Sequence, residues 1–134
     1  MRTIAVIVAV LLAAVAAGAC GGNAEDDVRS SWEAAARAVA DGDATGFCAM
    51  VSREGKDEIT ARTGLACEDA VRLLASQLGA ADKAAIRGAA ISAVQVDGDA
   101  ATVTYEAGPG LEQVGFTGRT SMTRVDGRWL LQGI

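Results

Sequence analysis

The stretch Ala93–Glu106, AVQVDGDAATVTYE, decides the fold. From Ala101 onward its side chains alternate: Ala101, Val103 and Tyr105 fall in one phase, and Thr102, Thr104 and Glu106 in the other. Successive residues of a strand point to opposite faces, so this pattern predicts a strand with one apolar face. The Asp97–Asp99 triplet DGD is turn chemistry, which makes the stretch the core of a hairpin. On the upstream side Ala89, Ile91 and Ala93 alternate, and then Val94 and Val96 take the opposite phase. A change of phase inside one strand requires an extra residue, so a bulge or strong bend is expected there. Downstream, Gly108–Gly110 (GPG) reads as another turn. The run 113–125, QVGFTGRTSMTRV, reads as one long strand with Val114, Phe116 and Met122 in phase, curved at Gly115 and Gly118. Asp126–Gly127 is a tight hairpin signal, and 128–134, RWLLQGI, is the closing strand.

Ahead of this region the period is helical. Val28, Trp32, Ala35, Ala36 and Val39 recur at helical spacing, which predicts a helix over 27–40, stopped by Gly42. A short helix over 44–51 follows, capped by Asp43 and carrying Phe47, Cys48 and Val51. A third starts at Ser52 and ends near Gly64. A fourth covers 67–79 with Val71, Leu74, Ala75 and Leu78 on its inward side. Helices first and hairpin-linked strands second make the expected class α+β: N-terminal helices packed on a curved antiparallel sheet of about four strands.

The N-terminus has the layout of an export signal. Arg2 is followed by the uncharged run Ile4–Ala17, fourteen residues long. That is the length of a secretory apolar region, ~7–15 residues, and short of the ~20 a spanning helix needs. Ala17, Gly18, Ala19 and Cys20 resemble the lipobox of bacterial lipoproteins. The resemblance implies cleavage before Cys20 and a diacylglycerol thioether on its sulfur. The expected organisation is a lipoprotein signal peptide over 1–19, a flexible lipid-anchored tether over 20–27, and a single domain over 28–134. The expected location is the outer face of the cytoplasmic membrane. With Cys20 lipidated, Cys48 and Cys67 remain of the three cysteines. In an exported, oxidising setting they are expected to form a disulfide; two free or metal-binding thiols are the alternative.

Charge and composition narrow the chemistry. The net charge is −5 with no histidine, and cleavage at Cys20 would remove Arg2 and leave the domain more acidic still. An acidic chain without a basic cluster is a poor partner for nucleic acid. Asp41–Gly46, DGDATG, resembles the first half of a calcium loop, but position five is Thr45 and position twelve is Ser52, where a loop of that kind places an oxygen ligand and a bidentate glutamate. It reads instead as a helix stop followed by a helix start, and no metal or cofactor is expected.

The segments AVADGDATGFCAMVS (38–52), AVQVDGDAATVTYE (93–106) and TRVDGRWLLQGI (123–134) resemble small actinobacterial lipoproteins related to the nuclear transport factor 2 superfamily. The resemblance implies a cone, a bent sheet wrapped around helices, with a pocket at its open end. Enzymes of that fold, such as ketosteroid isomerase and the polyketide cyclases, line the cone with acid/base groups. Here Tyr105, the one tyrosine, occupies the inward phase, while its neighbour Glu106 faces the other way. No carboxylate falls in an inward apolar phase to pair with it, so no catalytic residue is carried over. Trp32, Tyr105 and Trp129 are the candidate pocket residues, with Trp129 placed to plug the cone. The expected function is non-catalytic binding: a small apolar ligand in the cone, or a protein partner in the cell envelope. The alternative is an isomerase- or cyclase-type enzyme acting on a small apolar substrate.

Overall fold

The computed structural model describes residues 19–112 and 115–133. Its elements run in order α1 (Ala19–Asp41), α2 (Ala44–Ala49), α3 (Arg53–Thr63), α4 (Cys67–Gln77), α5 (Ala80–Arg87), β1 (Ile91–Asp97), β2 (Ala100–Tyr105), α6 (Pro109–Glu112), β3 (Arg119–Val125) and β4 (Arg128–Gly133). The class is α+β. The strands form one antiparallel sheet in the order β1-β2-β3-β4, each joined to its neighbour in sequence.

The sheet has one inward face. Ala101, Val103 and Tyr105 of β2 are buried, and so are Thr120 and Met122 of β3 and Trp129 and Leu131 of β4. The expected change of phase in β1 is present: Ile91 pairs with Tyr105 but Ala93 pairs with Thr104, leaving Ser92 as the extra residue. Ile91, Val94 and Val96 are thereby all partly buried against the core. Both hairpins turn at the same end of the sheet. At the β3–β4 turn Asp126 and Gly127 have φ of +51° and +77°. Positive φ at both central positions matches the turn to the twist of the strands, which is why Asp-Gly occurs there.

Helix α1 crosses the inward face. Val28, Trp32, Ala35 and Val39, spaced by three and four residues, are buried in the shared core. The helix begins well before the expected residue 27, so the segment 20–27, expected as a flexible tether, is helical instead. Once the docked part of a helix exists, each added residue gains a hydrogen bond without a new nucleus, so the helix extends beyond its buried stretch. The expected signal peptide lies outside the described residues, apart from Ala19. No described helix is long and apolar enough to cross a membrane.

Asp43 accepts a hydrogen bond from the Gly46 N–H at 3.0 Å and so caps α2. This helix stops at Ala49, earlier than expected, because the chain is captured by the sheet. Val51 bridges Leu131 in parallel, Ser52 N–H donates to the Leu131 carbonyl at 2.7 Å, and Leu131 N–H donates to the Met50 carbonyl at 2.8 Å. Ser52 then caps α3 by accepting from Gly55 N–H at 3.1 Å. Gly55 is held against the same edge. A Cβ there would stand 2.7 Å from Val51 Cγ1 and 2.9 Å from the Leu131 carbonyl oxygen. Gly55→Ala is therefore expected to destabilise by about 1–3 kcal/mol, the usual cost of overpacking, because main chain cannot yield as a side-chain tip can. Urea denaturation of the variant checks it; a change below about 0.5 kcal/mol would mean that β4 can slide.

Three expectations in the second half of the chain need correction. No helix was expected over 80–87, yet these residues form α5. Ile86 is its one buried residue. The GPG turn opens a four-residue helix, α6, with Leu111 buried beneath it. The long strand over 113–125 is only β3, starting at Arg119. Gly115 and Gly118 have φ of +99° and +86°, which take the chain out of extended geometry and leave Phe116 in a loop. Val114 lies outside the described residues.

Candidate functional site

A cavity of about 340 Å³ lies between the helices and the inward face of the sheet. Its wall is built from distant parts of the chain: Trp32 from α1, Phe47 from α2, Val71 and Leu74 from α4, Tyr105 from β2 and Leu131 from β4. Exposure separates mouth from floor. Thr63, Leu73, Gln77 and Gly115 line the cavity and are exposed, with Leu73 at 51%, so they mark the mouth. Trp32, Phe47, Tyr105 and Thr120 are buried and form the floor.

The wall is cross-linked. Cys48 and Cys67 form a disulfide that joins α2 to the first residue of α4. Phe47 precedes one half-cystine, and Val71 lies one turn beyond the other. The bond thus fixes two faces of the cavity to each other.

At the floor the Trp32 and Tyr105 rings lie 4.8 Å apart, tilted by 40°, a favourable aromatic arrangement. Burial pushes the Tyr105 hydroxyl above its ordinary value of 10.0. Hydrogen bonds from the Gly118 backbone and the Thr120 hydroxyl to the phenol oxygen favour the phenolate and oppose that shift without cancelling it. The unfolded chain therefore ionises first as pH rises. This contribution to stability is intact below about pH 10 and is lost as pH climbs through the folded value. Since Tyr105 is the one tyrosine of the chain, tyrosinate absorbance reports it alone. The titration is expected to run above that of free tyrosine in the folded protein and to return to it in denaturant. A folded-state midpoint at or below the free value would contradict this environment.

Of the residues expected from the sequence, the structure brings Trp32 and Tyr105 together at the cavity floor. Trp129 is elsewhere: it is not among the lining residues, so it does not plug the cavity. It shares the inward face with Tyr105 but stands at the hairpin end of the sheet, and Tyr105 stands at the other end. There Trp129 faces its cross-strand neighbour Arg124, whose guanidinium carbon is 5.7 Å from the ring centroid. Arg124 is in turn held by Asp99, with Nε donating at 2.9 Å. Cys20 lies in the first turn of α1, and its side chain is outside those described.

The sequence reading missed Thr120, Phe116 and the cavity face of α4 as site residues. Thr120 carried a signal, since it is a polar residue in the same phase as Met122. Among the described lining residues Tyr105 is the one with a titratable side chain. Among the described residues no group of three or more His, Cys, Asp or Glu gathers into a metal-binding cluster. What the arrangement can do is enclose a small apolar molecule and offer it hydroxyl groups at one end. Compared with protein-family models, curated proteins and solved structures, the chain matches none of them.

Proposed function

We propose that the protein is an exported lipoprotein, anchored through Cys20 to the outer face of the cytoplasmic membrane, whose α+β domain binds a small apolar molecule without transforming it. On this reading the domain is a cone of the nuclear transport factor 2 type, and the cavity is its pocket. The observation that carries the binding role is the hollow itself: about 340 Å³ left between Trp32, Phe47, Val71, Tyr105 and Leu131, where a tightly packed core would leave almost none. The absence of a second titratable group among the described lining residues supports binding over acid/base catalysis, which needs one group to move a proton and another to polarise the substrate. The anchor rests on the sequence Ala17–Cys20 following its apolar run.

The test has two parts. Protein taken from membranes in mild detergent should carry a diacylglyceryl mass on a mature chain beginning at Cys20. Extraction with organic solvent should release an apolar compound in fixed ratio to protein. An unmodified Cys20 sinks the anchor. Failure to retain any apolar compound, native or added, sinks the binding role. Turnover of an apolar substrate that disappears in Tyr105→Phe would assign the isomerase- or cyclase-type activity in its place.

A further inference from the structure

The cavity has polar atoms at both ends, and they differ in kind. Thr63 and Gln77 are at the mouth and reach water. Tyr105 and Thr120 are on the floor, each only 7% exposed, among apolar neighbours. A hydroxyl placed in such surroundings has little to do with solvation. Thr120 and the Gly118 backbone are the polar neighbours of the Tyr105 phenol. A phenol both donates and accepts, so the Tyr105 O–H can serve a ligand oxygen in the cavity. Beside it, Trp32 and Leu131 supply apolar contact.

Resting on the binding role proposed above, we propose that the cavity selects uncharged apolar molecules carrying a single hydrogen-bonding oxygen, an alcohol or a carbonyl compound, with that oxygen seated on the Tyr105 hydroxyl. Three considerations support the selectivity. No described lining residue carries a formal charge at neutral pH, so an anionic or cationic end would be desolvated without a counter-ion, and that penalty exceeds what one hydrogen bond returns. The chain's net charge of −5 adds a long-range bias against anions. The volume, about 340 Å³, is at the lower end of the ~300–1,000 Å³ of small-molecule sites, so it admits one compact ligand and not a two-chain lipid.

The experiment uses the purified full-length protein, stripped of bound apolar material and titrated near neutral pH with four probes of matched chain: 1-octanol, 1-chlorooctane, octanoate and octylammonium. Tryptophan fluorescence reads the binding, and Trp129→Phe leaves Trp32 as the sole reporter at the cavity floor. Octanol is expected to bind about three- to tenfold more tightly than chlorooctane, the effect of one buried neutral hydrogen bond. Both charged probes are expected to bind at least about tenfold more weakly than octanol. Tyr105→Phe should erase the advantage of octanol over chlorooctane. Thr120→Val, which keeps shape, should reduce that advantage. Octanoate or octylammonium binding as tightly as octanol would overturn the selectivity, as would an octanol advantage that survives Tyr105→Phe. Retention of chlorooctane and octanol with equal affinity also overturns it while leaving the binding role standing. Retention of no probe overturns the binding role and this proposal together.

Discussion

Replacing Cys48 and Cys67 together by alanine is expected to lower the unfolding free energy by about 3 kcal/mol. The disulfide joins residues separated by 19 positions, and closing a loop of that length removes chain entropy worth about 3 kcal/mol from the unfolded state. Both half-cystines are buried, at 1% and 4% exposure, so alanine is the better replacement; serine would add a buried hydroxyl in search of a partner. For a domain of this size the expected fall in Tm is on the order of 10 °C. The helices should survive, because α1, α3 and the sheet make their own contacts and α2 keeps its Asp43 cap. The cavity should suffer more than the fold. Phe47 and Val71 stand next to the bond on its two sides, and once it is gone α4 is free to shift relative to α2. Urea denaturation monitored by circular dichroism gives the stability, and probe titration gives the cavity. A loss under about 1 kcal/mol with full probe affinity would show that packing between α2 and α4 fixes the wall without the bond.

The elements legible in the sequence were those whose periodicity reports burial on one side. Ala101, Val103 and Tyr105 alternate because β2 is covered on one face and wet on the other, and the sequence pattern records just that. The change of phase between Ile91 and Val94 is the written trace of a bulge. Helix α5 has a single buried residue, Ile86, and is short; its alanines favour helix and Asp82 accepts from Gly79 N–H at 3.2 Å at its start. The missing strand over 113–118 is a case of ambiguous glycine: the same residue permits curvature in a strand and exit from it, and the backbone at Gly115 and Gly118 takes the exit. The site was legible by face but not by position along the face. Alternation placed Tyr105 and Trp129 inward alike, and only the hairpin register puts them at opposite ends of the sheet. The hollow itself is a difference between the volume enclosed and the volume filled, and no local pattern of residues encodes that difference.

Ala36→Phe is expected to weaken apolar-probe binding by at least about tenfold, near 1.4 kcal/mol, while changing stability by no more than about 1 kcal/mol. Ala36 lines the cavity one turn after Trp32 and is only partly buried, so a larger side chain there has open volume to enter. Two terms act on stability in opposite directions. Phenylalanine costs about half a kcal/mol of helix propensity relative to alanine. Against that, the ring fills space whose lining atoms have no partners on the open side, and each contact it restores is favourable. Ala35, its neighbour, also lines the cavity but is 2% exposed and part of the packed core, so a larger side chain there would change packing as well as volume and is the less clean test. The measurement pairs probe titration with denaturation on the same preparation. Binding lost at unchanged stability places the ligand between α1 and the sheet. Binding retained with the ring in place would move the ligand out of this hollow and leave the volume enclosed by Trp32, Tyr105 and Leu131 as imperfect packing alone.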